Sequence, residues 1–157
     1  MSDNSTSESE GRLAGIDYGT VRIGIAVTDR SRTIASPLET YQRIGEEADA
    51  RFFQQLAIRE EICAFVVGLP IHLSGDESQK SAEARRFGSW LAAMTNLPVA
   101  FFDERFTSRE AEQALAQPGL SRKQRDTRRD MLAAQMMLTA YLESGQNDQM
   151  APRALDA

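Results

Sequence analysis

Three carboxylates stand where short apolar runs end or begin. Asp17 follows Ile16 and opens the turn Asp17-Tyr18-Gly19-Thr20; Glu104 follows Phe101-Phe102-Asp103; Asp130 directly precedes Met131, Leu132 and Ala134. A charge inside or beside apolar sequence is costly unless it is paired or binds a metal. Softer ligands are almost absent, because Cys63 is the only cysteine and His72 the only histidine. Structural zinc takes about four such ligands, so a His/Cys zinc site is excluded. A disulfide framework is excluded as well. A histidine-based triad would have to use His72 as its only base. Carboxylates without thiols or imidazoles select Mg²⁺ or Mn²⁺. Two such ions about 3.5–4 Å apart hydrolyse phosphodiesters, activating water at one and stabilising the leaving oxygen at the other.

Each acid also has a plainer reading. Asp130 would gain about 0.3–1 kcal/mol merely from standing at a helix start. Glu104 has Arg105 and Arg109 nearby to pair with. Asp17 is the hardest to account for structurally, and Asp103 and Glu39 are weaker candidates. An anionic substrate requires cations, and the candidates for contact are Arg22, Arg105, Arg109, Arg122, Lys123, Arg125, Arg128 and Arg129. Five of these fall between Ser121 and Arg129, against one acid, Asp126. The formal net charge of −5 opposes indiscriminate nucleic-acid binding, but local clustering matters more than the sum. His72 reads as an exposed loop residue rather than a substrate contact.

The elements that position these residues follow from periodicity. Leu13, Gly15–Asp17 and then Ile23–Val27 read as two strands joined by the tight connection 18–22, a hairpin. Thr33–Thr40 reads as a third strand, with Pro37 assigning it to an edge. Ala48, Phe52, Phe53, Leu56 and Ala57 predict an amphipathic helix over Glu46–Glu60. Ile62–Val67 is continuously apolar, as a strand buried on both faces is, and Gly68-Leu69-Pro70 is expected to end it. Cys63 within it reads as a small buried hydrophobe. A loop is expected over 71–76 and a helix over Glu77–Thr95. A second buried strand, Leu97–Phe102, leads into Asp103-Glu104-Arg105. Thr107-Ser108-Arg109-Glu110 reads as a capping box opening a short helix to about Gln117. After Pro118-Gly119, a basic loop and then a helix over about Arg129–Ser144 are expected, with Asp130 at that helix's start.

Strands that first form a meander and later alternate with helices predict an α/β fold. Its mixed sheet contains an antiparallel three-strand meander, and helices cover both faces. The 157 residues suffice for one domain. It is expected over 12–144, after a disordered acidic tail, 1–11, and before a flexible tail, 145–157. No window reaches the ~20 apolar residues of a membrane helix, and no signal-peptide segment opens the chain. A cytoplasmic protein is the expectation.

Five segments, in order, resemble the YqgF (RuvX) family, the Holliday-junction-resolvase-like proteins also described as pre-16S rRNA nucleases. They are Gly15-Ile16-Asp17-Tyr18-Gly19-Thr20, Ile23-Gly24-Ile25-Ala26-Val27, Val66-Val67-Gly68-Leu69-Pro70, Asp103-Glu104-Arg105-Phe106-Thr107-Ser108 and Arg129-Asp130-Met131-Leu132-Ala133-Ala134. Two departures stand out: Arg128-Arg129-Asp130 replaces the family's usual Lys-Val-Asp, and Ile71-His72-Leu73 replaces a more polar segment. The resemblance implies a ribonuclease-H-like fold and a metal-dependent nuclease. Its catalytic and metal-binding acids fall on Asp17, Glu104 and Asp130, with Mg²⁺ or Mn²⁺ as cofactor. It further implies processing of the 5′ end of pre-16S rRNA in ribosome biogenesis. The expected partner is nucleic acid, RNA ahead of DNA, with the assembling small ribosomal subunit as its setting, and the chain acts as monomer or dimer. The alternatives are a Holliday junction resolvase and a non-catalytic RNA-binding assembly or transcription factor. An actin-like phosphotransferase, suggested by the Asp-Tyr-Gly-Thr turn, would need a second such domain.

Overall fold

The computed structural model describes residues 11–70, 79–104 and 119–145. Strands β1 (Arg12–Asp17), β2 (Arg22–Thr28) and β3 (Ala35–Gln42) come first. Helix α1 (Glu46–Arg59), strand β4 (Ile62–Pro70), helix α2 (Gln79–Thr95), strand β5 (Val99–Glu104) and helix α3 (Arg122–Glu143) follow. The strands form one sheet in the order β3-β2-β1-β4-β5. β1, β2 and β3 pair antiparallel, whereas β4 runs parallel to both β1 and β5. The expected mixed sheet is therefore present, with β3 at an edge, where the missing N–H of Pro37 costs least.

Strand alternation divides the interior in two. Ala14, Ile16, Ile23, Ile25, Phe65 and Val67 face α1 and α2, packing on Phe53, Leu56, Phe87 and Leu91. Leu13, Ala26, Ala64 and Val66 face α3, packing on Ala134, Met137, Leu138 and Tyr141. Helices thus cover both faces, and β4 is buried on both sides from Ala64 to Leu69, as its continuous apolarity requires.

Three expectations are corrected. First, α3 starts at Arg122, seven residues before the expected Arg129, so the basic run is helix rather than loop. Ser121 caps it: its hydroxyl accepts from the Gln124 amide at 3.1 Å, and the Gln124 side chain accepts from the Ser121 amide at 2.9 Å. Asp130 consequently lies in the helix's third turn, beyond the reach of a terminal dipole. Second, β4 continues through Gly68-Leu69-Pro70, because β5 pairs with it as far as Pro70 opposite Glu104. Third, Cys63 is only half-buried, and Arg32 Nη2 lies 2.8 Å from its Sγ. The expected tails, 1–11 and 145–157, lie outside the described residues except for Gly11 and Gly145, as do the 71–76 loop with His72 and the 107–117 helix. Among the described residues no helix is long and apolar enough to cross a membrane.

Candidate active site

Close packing of α3 on the β1–β2 hairpin brings two of the three acids together. Asp17 pairs across the hairpin with Gly24. A Cβ added to Gly24 would stand 2.0 Å from the Asp130 carbonyl oxygen and 2.4 Å from its carbon. One added to Gly15 would stand 2.9 Å from Leu138 Cβ. These glycines let the helix backbone descend onto the strands, which carries Asp130 to the end of β1. Two hydrogen bonds tie α3 to the edge strand: Thr40 Oγ1 donates to the Thr127 carbonyl at 2.6 Å, and Gln135 Nε2 donates to the Ala35 carbonyl at 3.1 Å.

Asp17, the 18–22 turn and Asp130 bound an open cleft of about 270 Å³. Burial, and then the nearby charge of Asp130, push the Asp17 carboxyl up to about 7, while Arg129 opposes the rise. Arg22 Nε donates to Asp130 Oδ2 at 2.8 Å, and this hydrogen bond raises the guanidinium further above its ordinary value. The cleft thus holds two carboxylates, one of them raised in pKa by its neighbour, beside the Arg22 guanidinium and with no thiol or imidazole in its lining. A divalent cation between them would relieve that repulsion, so the residues fit the hard ion expected from the sequence.

The third acid is placed by its backbone alone. Glu104 pairs with Pro70 at the carboxyl edge of the sheet, the edge at which β1 ends in Asp17. The Glu104 side chain, Arg105 and Arg109 lie outside the described residues. Among the described residues no three His, Cys, Asp or Glu side chains cluster to hold a metal. Asp103 falls in the series opposite Phe102, as alternation predicted. Glu39 pairs with Arg59 at 3.3 Å on the surface.

Of the candidate cations, Arg122, Lys123, Arg125 and Arg128 are exposed on the first turns of α3. Arg129 is half-buried, 3.3 Å from Asp126, and close enough to Asp17 to lower its pKa. Arg22 is held by Asp130. Sequence reasoning missed a network beside the site. The Asp49 carboxylate is buried and accepts from Tyr41 Oη at 2.6 Å and from Arg43 Nε at 3.1 Å. Arg43 Nη1 in turn donates to Tyr18 Oη at 3.1 Å, fixing the residue next to Asp17. The available signal was spacing: Asp49 stands on the apolar stripe of α1, in line with Phe53 and Leu56.

A family model described as "RuvX: Holliday junction resolvase" matches residues 11–144. A protein of Rhodopirellula baltica named "Putative pre-16S rRNA nuclease" is 49% identical over 134 residues, covering 85% of this chain and 78% of its own. One of the same name from Koribacter versatilis is 39% identical over 146 residues, covering 93% and 95%. Among solved structures, the yeast mitochondrial Holliday junction resolvase superposes with a TM-score of 0.53 at 12% identity, over 89% of this chain and 81% of that one. At that identity the likeness concerns the fold, and it bears out the ribonuclease-H-like class.

Proposed function

Because the chain belongs to the RuvX family, we propose that it is a metal-dependent nuclease that trims the 5′ end of the 16S ribosomal RNA precursor. The observation that carries this reading is the convergence of Asp17 and Asp130, two oxygen-only ligands whose mutual repulsion calls for a cation. Asp17 and Asp130 would hold the ion, Mg²⁺ or Mn²⁺, with Glu104 as the third ligand. When bound, it supplies the positive charge that activates water and stabilises the leaving oxygen. The net reaction adds water across one phosphodiester: the new bond is oxygen to phosphorus, and the broken bond frees a 3′ hydroxyl.

The chain's own residues do the rest. Arg22 neutralises Asp130 until the ion arrives. Arg122, Arg125 and Arg129 recur at helical spacing, so they form one stripe that leads towards Asp130. A cation in the first turn, such as Arg122, opposes the helix dipole at a cost of about 0.3–1 kcal/mol. Phosphates laid along the stripe would offset that cost. The names of the relatives support a 16S rRNA precursor as substrate.

The test offers a 5′-extended 16S precursor and a four-way DNA junction to the protein with Mn²⁺, using Glu104→Gln as control. Cleavage of the precursor alone, lost in the control, supports the proposal. Cleavage of the junction alone makes the protein a resolvase. Salt-sensitive RNA binding without cleavage of either substrate makes it an assembly factor.

A further inference from the structure

A second cavity, of about 370 Å³, adjoins the cleft and shares Tyr18 and Thr20 with it as walls. It opens on the α1–α2 side of the sheet edge, whereas Asp130 reaches the cleft from α3. Its wall is a ladder of rings: Tyr18 lies 4.8 Å from Phe87, tilted by 33°, and Phe87 lies 5.4 Å from Trp90, tilted by 36°. The Arg43 guanidinium sits 5.5 Å from the Tyr18 centroid and 5.8 Å from that of Phe87, held there by buried Asp49. Arg86 lines the same space, is exposed, and has no ion-pair partner among the described residues. Trp90 Nε1–H is buried and finds no acceptor among the described residues.

Aromatic faces combined with cations are the equipment with which proteins hold unstacked bases and the phosphates beside them. Duplex bases are already stacked and do not enter such a cavity. The volume lies near the lower end of the ~300–1,000 Å³ of ligand pockets, which suits one nucleotide rather than a length of strand. Glu46 and Glu83, also in the wall, make the space unsuitable for a run of phosphates. Their carboxylates accept from amino groups on a base edge.

We propose that the Tyr18–Phe87–Trp90 cavity binds one unpaired nucleotide of the substrate, beside the phosphodiester that is cut. The base stacks on the ring ladder, its amino edge meets Glu46 or Glu83, and its phosphate meets Arg86. The position beside the cut bond rests on the nuclease reading, whereas the binding of an unpaired base does not. The substrate class is then single-stranded at the cleavage point.

Trp90 is the only tryptophan, so its fluorescence reports on the cavity directly. The full chain is titrated with pentacytidylate in EDTA, where no cleavage occurs. Saturable quenching is expected, with affinity about tenfold weaker in Arg86→Ala, as loss of one charge-assisted hydrogen bond to phosphate predicts. A blunt duplex should not quench. Arg86 is exposed, so the variant keeps its fold, which circular dichroism verifies. No quenching, equal affinity in Arg86→Ala, or equal quenching by the duplex overturns the proposal. Quenching that depends on Arg86, in a protein that cleaves nothing with any metal, would keep this site and remove the nuclease reading. Cleavage without quenching would do the reverse.

Discussion

Asp17 carries two opposed consequences. Its folded pKa, about 7, lies above the ~3.9 of an unfolded aspartate. The folded state therefore binds this proton more tightly than the unfolded state does. Stability from that proton is fully present below pH ~3.9 and is lost as pH rises towards 7. Above pH 7 the ionised carboxylate is a net cost to the metal-free protein. Asp17→Asn should then raise its thermal stability at pH 8, by about 1–4 kcal/mol, and should do nothing of the kind at pH 4. Added Mg²⁺ should narrow the gap by stabilising the native protein only. Denaturation curves at the two pH values check this. Asp49 behaves oppositely. Burial pushes its carboxyl up, but the hydrogen bonds from Tyr41, Ile44, Arg43 and Gly45 together outweigh burial and hold it below the ordinary range. Its stability is present above pH ~3.9 and lost as pH falls through the depressed folded value. Asp49→Ala should cost about 1–3 kcal/mol in urea denaturation at pH 7, because it leaves Tyr41 Oη and Arg43 Nε without their acceptor. Asp17 and Asp130 stood out as candidates because charge next to apolar sequence is conspicuous, but their convergence could not be read from the sequence. The Arg22–Asp130 bond was not, since its partners are 108 residues apart and no local pattern links them.

At the scale of elements, the decisive contact is helix α3 on the β1–β2 hairpin. Gly24→Ala would drive a methyl into the Asp130 carbonyl. It should destabilise the fold by about 1–3 kcal/mol and displace Asp130 from Asp17, lowering cleavage even where the protein remains folded. A melting curve read together with a cleavage rate separates the two effects. The hairpin, the edge strand and the twice-buried β4 were legible because their apolar periods are short and clean. The start of α3 was not. The positive charges between Arg122 and Arg129 mask its helical period, and the capping signal is Ser121-x-x-Gln124, less conspicuous than the Thr107 pattern. Likewise Gly68-Leu69-Pro70 reads as a stop in isolation, yet pairing with β5 carries the strand through it.

Across the whole molecule, the proposed reading has the sheet present its carboxyl edge to substrate. The basic stripe of α3 approaches that edge from one face, and the ring ladder approaches it from the other. On the proposed reading, a chain of net charge −5 would hold an anionic strand through local cations, those of α3 on one face and Arg86 on the other. Replacing Arg122 and Arg125 by alanine should weaken RNA binding uniformly across sequences. Each lost contact should flatten the logarithmic salt dependence by about 0.7 for single-stranded RNA, measured by filter binding over a salt series. Net charge could not reveal this, because it averages over faces that only the topology separates.

The central claim is that Asp17 and Asp130 form the cation site of a nuclease. The most direct measurement is the rate of precursor RNA cleavage as Mn²⁺ is raised, for the natural chain and for Asp17→Asn of verified fold. Saturable, Mn²⁺-dependent cleavage is expected in the natural chain, with a loss of about 10³-fold or more in the variant, on the scale of a lost catalytic group. Cleavage at an undiminished rate in Asp17→Asn would contradict it.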